Sequence, residues 1–177
     1  MFRVKEGDLE KLGLLYERYK KILYAFFYRM NFDEPLSQDL VQNVFIRILN
    51  YRKTFRGEGE FKVWMFHIAR NVNHEHYRKN KSRKNHDSLG TKHERVTGYD
   101  EEVHQQSRDH DLGLLQLAIS RLDRDKREII TLSKIEGMKY REIGELIDCA
   151  ENTVKIKVFR ALKDLKSEFE KLKQSYG

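Results

Sequence analysis

Apolar residues in this chain of 177 residues recur every three or four positions in two blocks. Between the blocks, from Asn80 to about Asp109, they are scarce and without period. A spacing of three to four is the signature of amphipathic helices, whereas half-buried strands alternate at every second residue. No stretch alternates in that way, and no internal repeat competes. A single proline, Pro35, interrupts a composition rich in Leu, Lys, Glu and Arg, all good helix formers. The expected architecture is all-α: two small helical domains joined by a flexible linker, with the boundaries at 1–84, 85–110 and 111–177.

The first block predicts a helix capped by Asp8 and running to about Met30, with Leu9, Leu12, Leu15, Tyr16, Tyr19, Leu23, Phe26 and Phe27 at helical spacing. Pro35 then breaks the chain, and Ser37 caps a second helix ending near Tyr51. Leu40, Val41, Val44, Phe45, Ile48 and Leu49 form its inward stripe. Asp39, Gln42, Asn43, Ile46 and Arg47 lie opposite. After a loop containing Gly57 and Gly59, a third helix runs from about Phe61 to beyond Tyr77, with Trp64, Ile68 and Val72 on one face. The Asn80–Asp109 stretch, dominated by Lys, Arg, His, Ser, Asp and Gln, reads as a tether whose first part continues the basic helix.

In the second block Leu112, Leu115, Ala118, Ile119 and Leu122 are the expected inward positions. Asp123 caps a helix carrying Ile129, Ile130, Leu132 and Ile135, and Gly137 stops it. A short helix follows from Tyr140 to Ile147. Asp148, Cys149 and Ala150 make a tight turn into a long helix from Glu151 to about Leu172.

The formal net charge of +7 and a sequence pI near 9.4 favour a polyanionic partner. Cys149 is the sole cysteine, so no intramolecular disulfide forms and a reducing compartment is expected. The start of the chain soon turns polar, and Ile22–Tyr28 is too short to span a bilayer. A cytoplasmic location without membrane insertion is expected.

Three clusters carry chemistry. In the Tyr140–Leu165 pair of helices, Ile143, Leu146 and Ile147 point inward, small Gly144 permits close approach of the next helix, and Val154, Val158, Ala161, Leu162 and Leu165 close the core. Asn152, Lys155, Ile156, Lys157, Phe159 and Arg160 fall on or near the outer side. A short helix, a tight turn and a helix with a basic outer face describe a helix-turn-helix suited to the major groove. A bundle hairpin with a solvated basic face has the same pattern. The second cluster is the glycine loop and third helix. There Arg56, Lys62, Arg70, His74, Arg78, Lys79, Lys81, Arg83 and Lys84 interleave with Phe55, Phe61, Trp64, Phe66 and Tyr77. Basic groups track phosphates and exposed aromatics stack unpaired bases; Trp64 is expected in the core. The third is the polar side of the second helix, where Asp39, Gln42 and Asn43 surround an outward Ile46 as a protein-docking patch.

Together these segments resemble a known family. Asp39-Leu40-Val41-Gln42-Asn43-Val44-Phe45 resembles the polymerase-binding motif of extracytoplasmic-function (ECF) sigma factors of the sigma-70 family. Phe55-Arg56-Gly57 and Phe61 to Asn71 resemble their promoter-melting segment. Leu122, Tyr140-Arg141-Glu142-Ile143-Gly144 and Asn152-Thr153-Val154-Lys155 resemble their helix-turn-helix. The resemblance spans nearly the whole chain outside the linker.

It implies a sigma factor that binds bacterial core RNA polymerase and directs promoter recognition, melting and initiation. Asp39, Gln42, Asn43 and Ile46 would dock on a coiled coil of the largest polymerase subunit. The glycine loop with Arg56, and the third helix with Arg70, Asn71, His74 and Arg78, would read the melted minus-ten strand. A flipped base would enter a pocket near Asn71 and His74. Lys155, Ile156 and Phe159, with Asn152, would lie nearest the bases of the minus-thirty-five duplex, while Arg141, Lys157 and Arg160 hold phosphates. An anti-sigma factor is an implied partner, covering the docking helix and the DNA-facing helices.

The chain departs from the family pattern at four places. Asn43 stands for an acidic residue, Ala150 for a capping Ser or Thr, Asn152 for Gly, and Lys139 for a capping Ser. A stand-alone helix-turn-helix repressor or activator on duplex DNA is the alternative. No catalytic set, metal site or cofactor is expected: His74 and His76, two apart on a helix, point to different sides. The remaining histidines are scattered, and the chain is not read as an enzyme.

Overall fold

The computed structural model describes residues 1–86 and 108–176, with side chains described for 1–80 and 110–176. Every regular element among the described residues is helical. Contacts divide the chain into two units, Met1–His93 and Glu94–Gly177. The central part of the expected linker, 87–107, lies outside the described residues.

The first unit contains α1 (Phe2–Lys5), α2 (Glu10–Asn31), α3 (Glu34–Tyr51) and α4 (Phe61–His86), with a 3₁₀ turn at Arg52–Thr54. Its core is the inward stripe of three packed helices: Leu23, Phe26 and Phe27 from α2, Val44 and Ile48 from α3, and Met65, Phe66 and Ala69 from α4, all fully buried. Each such aliphatic or aromatic side chain contributes roughly 1.5–3 kcal/mol on leaving water. Phe26 meets Phe66 edge to face with ring centroids 5.3 Å apart, joining α2 to α4.

Two helix starts differ from the expectation. Asp8 is not a cap: α2 begins after Leu9 without a side-chain cap, and Asp8 N–H donates to Arg3 O at 2.9 Å to close the turn after α1. Ser37 is not a cap either. Asp33 caps α3, its carboxylate accepting from Leu36 N–H at 2.9 Å, and Pro35 lies in the first turn. Proline there loses no intrahelical hydrogen bond and its fixed φ suits a helix, so it begins the helix and does not break the chain. Ser37 is buried, and its hydroxyl donates back to Asp33 O.

The second unit contains α5 (Arg108–Arg121), α6 (Arg124–Ile130), α7 (Tyr140–Ile147) and α8 (Glu151–Tyr176). Asp123 caps α6 as expected, accepting from Lys126 N–H at 2.9 Å. Beyond α6 the chain continues through a π-helical turn, Thr131–Ile135, and turns at Gly137 with φ +67°. Helix α8 is the spine against which α5, α6 and α7 pack.

The inward face of α5 is Leu114, Ala118, Ile119 and Leu122; Leu112 and Leu115 point outward, against expectation. Leu114 and Ala118 meet Leu172 of α8, with Leu165 and Phe169 alongside. Arg127 closes the α5–α6 corner, donating to the carbonyls of Ile119, Ser120 and Leu122 at 3.2, 2.7 and 2.9 Å. Carbonyls at a helix end lack intrahelical partners; Ile119 O also accepts from Leu122 N–H at 3.2 Å, and Arg127 serves the other two.

Trp64, the sole tryptophan, reports on the first unit. In urea unfolding followed by its fluorescence, Asp33→Ala lowers stability by about 0.5–2 kcal/mol, and Asp8→Ala leaves the midpoint unchanged. Equal losses would show that Asp33 is no cap.

Candidate nucleic-acid and docking interfaces

The α3 turns that bury Leu40, Val41, Val44 and Phe45 leave Asp39, Gln42, Asn43 and Ile46 exposed. At spacings of three, four and seven these four share one edge of the helix. Ile46 is 59% exposed within a polar frame. A groove of about 520 Å³ between α2 and α3, lined by Tyr16, Lys20, Tyr24 and Val41 among others, includes Gln42.

Asn43 is oriented from behind. Its side-chain oxygen accepts from Arg47 Nε at 3.1 Å, and the Arg47 guanidinium forks onto both carboxylate oxygens of Glu75 at 2.8 and 2.6 Å. The hydrogen bonds from Arg47 hold the Glu75 carboxyl below its ordinary range, against an opposing effect of burial; Arg78 and Lys79 add to the lowering. This fork ties α3 to α4. Nothing local in the sequence pairs residues 28 apart, and the sequence reading placed Arg47 simply on the polar side.

Helix α4 is buried along Met65, Phe66, Ile68, Ala69, Val72 and Asn73. Asn71 and Arg78 are exposed, while Arg70 and His74 are half-buried. Asn73, fully buried, accepts from Asn31 Nδ2 at 3.0 Å and so pins α4 to the end of α2. Arg56 is exposed on the glycine loop. Of the interleaved aromatics, Phe55 and Phe66 are buried and closed to a base, Phe61 and Trp64 are half-buried, and Tyr77 is exposed. Phe55, Phe61 and Trp64 pack on one another beneath the loop, with centroids 5.4 to 6.0 Å apart.

In the second unit α7 buries Ile143, Gly144 and Leu146. Its start lacks a capping side chain at Lys139, but Glu142 reaches back to accept from Lys139 N–H at 2.8 Å, half of a capping box. Asp148 ends the helix in the left-handed region, φ +54°, and Cys149 N–H donates to Gly144 O at 2.9 Å. Gly144 is required by this turn. A Cβ there would lie 2.5 Å from the Cys149 carbonyl oxygen, so the close approach comes from the turn before it comes from α8.

Val154, Val158 and Ala161 anchor α8 inward. Asn152, Lys155, Ile156, Lys157, Phe159 and Arg160 are all exposed, Phe159 at 70%. Arg141 is exposed on α7, beside Glu145 at 3.3 Å.

The sequence pattern described as sigma-70 region 2 matches residues 15–83, and that of sigma-70 region 4 matches 112–165. The ECF RNA polymerase sigma factor SigX of Bacillus subtilis is 32% identical, over 93% of this chain and 87% of its own length. The ECF RNA polymerase sigma-E factor of Haemophilus influenzae is 30% identical over 96% and 93%. This chain belongs to the ECF sigma factors.

The fold agrees. The sigma factor RpoE of Bartonella quintana, solved in complex with the anti-sigma factor NepR, superposes with a TM-score of 0.76 at 25% identity, covering 91% of this chain and 98% of its own. CnrH, solved with the cytosolic domain of CnrY, gives 0.70 at 20% identity over 95% and 93%. The function is therefore that of a sigma factor and not of a stand-alone repressor or activator. Among the described residues no helix is long and apolar enough to cross a membrane.

Two measurements check the geometry that holds this sigma factor's surfaces. Both partners of the Arg47–Glu75 fork are partly exposed, so solvent screening keeps its worth below about 1 kcal/mol. A carboxyl with a lowered folded pKa contributes its full stability above the ordinary value and loses it as pH falls from there through the lowered folded value. Glu75→Gln is therefore less stable than the parent at neutral pH. The gap between their urea midpoints closes as pH falls below about 4.5, the ordinary value; a gap independent of pH would remove the ion pair from the account. Gly144→Ala gains about 1 kcal/mol of helix propensity. Crowding against Cys149 nevertheless outweighs it, for a net loss of about 1–2 kcal/mol in thermal unfolding followed by circular dichroism. A stabilised variant would contradict the turn geometry.

Proposed function

We propose a division of labour in which residues 1–84 dock on core RNA polymerase and open the promoter, residues 111–177 read the upstream duplex, and 85–110 tether the two. The reading rests above all on one observation: the region 2 and region 4 matches fall on separate helical units, each presenting an exposed polar or basic edge on a buried stripe.

In the first unit Asp39, Gln42, Asn43 and Ile46 contact polymerase. An exposed aliphatic residue ringed by polar ones has the anatomy of an interface hot spot. Asn43 stands where the family pattern has an acid, and its hydrogen bond to Arg47 preserves an oriented acceptor without the charge. Arg56, Arg70, Asn71, His74 and Arg78 read the melted minus-ten strand. Asn71, His74 and Arg78, spaced by three and four, share one edge of α4.

In the second unit α8 enters the major groove. Asn152, Lys155, Ile156 and Phe159 face base edges, the two apolar side chains suiting thymine methyl groups. Arg141, Lys157 and Arg160 neutralise phosphates and set the salt dependence of binding. The protein works in the cytoplasm and leaves catalysis to polymerase. An anti-sigma factor, as NepR is in the solved RpoE complex, controls it by covering these same edges.

Run-off transcription from fragmented genomic DNA, using purified bacterial core polymerase with and without the protein, tests the whole. Discrete new start sites are expected, and aligning them yields the two promoter elements; their absence would overturn the reading. Asp39→Arg with Gln42→Ala abolishes polymerase binding at unchanged helicity. Lys155→Ala and Phe159→Ala each relax upstream-element preference by about 1–3 kcal/mol. Parental behaviour in either set would remove the corresponding residues from their roles.

A further inference from the structure

We propose that Phe2 is a stacking surface for an unpaired base at the glycine loop, carried there by the short helix α1. The proposal rests on reading that loop as part of the strand-reading surface.

Helix α1 is fastened to the loop at several points. Val4 is fully buried, and Lys5 Nζ donates to Phe55 O at 2.7 Å, across fifty residues of sequence. The Phe2 ring meets Phe55 edge to face at 5.3 Å. Its far edge reaches Gly57, where a Cβ would lie 2.1 Å from Phe2 Cζ. Gly57 has φ +79°, which favours glycine there, and the missing side chain lets the ring of Phe2 rest against the loop backbone. The N-terminal ring and the loop are thus built against each other.

The same ring is 56% exposed, whereas Phe55 beneath it is buried. A phenylalanine that only sealed the Phe55–Phe61–Trp64 cluster would be covered by it. This one is the outermost ring of the stack and leaves most of its surface to solvent. Exposed charged residues flank its contacts in sequence: Arg3 and Glu6 on α1, and Lys53 and Arg56 on either side of Phe55. Glu58 and Glu60 lie further along the loop, past Gly57. An open aromatic ring packed against a segment that carries Lys53 and Arg56 is a combination that holds single strands, cations on phosphates and the ring on a base. Duplex DNA offers no free base face, so the ligand is the melted strand.

The test uses holoenzyme assembled from core polymerase and the full chain. The probe is a fluorescent single-stranded oligonucleotide carrying the non-template minus-ten sequence of a promoter mapped by run-off transcription. Phe2→Leu keeps apolar bulk against Gly57 but removes the ring; it is expected to weaken strand binding roughly fivefold or more. Phe2→Trp binds at least as tightly as the parent. Core affinity is unchanged in both, and Leu14→Ala, an exposed apolar change on α2, leaves every value unchanged. Parental strand affinity for Phe2→Leu would overturn the proposal, as would equal losses in Leu and Trp variants, which mean packing alone. If the parental holoenzyme initiates at mapped sites yet fails to retain the oligonucleotide, the reading of the loop falls and the stacking role with it.

Discussion

Helix α4 must be a core helix and an open surface at once, and the first unit is organised around that demand. Six of its residues between Met65 and Asn73 are buried, while Asn71 and Arg78 stay outside. Apolar packing alone fixes such a helix poorly in rotation, because the hydrophobic effect has no direction. Two polar ties add direction. Asn31 holds the fully buried Asn73, and Arg47 forks onto Glu75 two residues further on. An acid among Arg70, His74, Arg78 and Lys79 would weaken a phosphate-facing edge if it faced outward. Turned toward Arg47, it fixes the helix and, through Arg47, orients Asn43 on the exposed edge of α3.

The second unit solves a similar problem with backbone instead of charge. Helix α7 has eight residues, too few to be stable by itself. Its position comes from the buried Ile143 and Leu146, from Glu142 closing its start, and from the Cys149 carbonyl seated over Gly144. Asp148 takes the left-handed conformation that glycine usually supplies, which its short polar side chain tolerates. The start of α8 then needs less help. Ala150 gives no side-chain cap, yet its carbonyl accepts from Thr153 and Val154 N–H at 2.9 and 3.1 Å, and the turn ahead of it is already fixed.

How much of this was legible in the sequence depended on the range of the deciding interaction. The α7 limits, the Asp123 cap and the outward face of α8 were readable because caps and helical period act within a few residues. Ser37 and Asp33 are both capping types, and the choice between them turned on Pro35, which is tolerated in a first turn and not later. On α5, Leu112, Leu114, Leu115, Leu117 and Ile119 leave the period ambiguous. Leu172, 58 residues on from Leu114 in α8, selects Leu114 and turns Leu112 and Leu115 out. The Arg47–Glu75 fork and the Lys5–Phe55 tie leave no local trace at all. Of the residues expected to stack on bases, Phe55 and Phe66 were misplaced for the same reason: an aromatic among lysines looks exposed until its neighbours in space are known.

The exposed apolar side chains sort into two kinds once their surroundings are compared. With 39% of residues hydrophobic, the chain has little apolar surface to spare. Leu112 and Leu115 are outward on α5, whose Leu112–Ile119 stretch has more apolar residues than its buried face can take. Single leucines of this kind are ordinary on any protein surface. Ile46, Ile156, Phe159 and Phe2 differ, because the two long helices that carry the first three have clean inward stripes and could place polar residues there without loss of core. Each of the four stands among exposed polar or basic groups: Asp39 and Asn43 for Ile46, Lys155 and Arg160 for Ile156 and Phe159, Arg3 and Arg56 for Phe2. An apolar centre with a polar rim gains by burial against a partner, and the rim chooses which partner. The rim of Ile46 is acidic and amide, suited to protein. The rim of Ile156 and Phe159 is basic, suited to nucleic acid. The net charge of +7 is therefore less informative than its distribution, which sets an acidic and amide edge on α3 apart from a basic edge on α8.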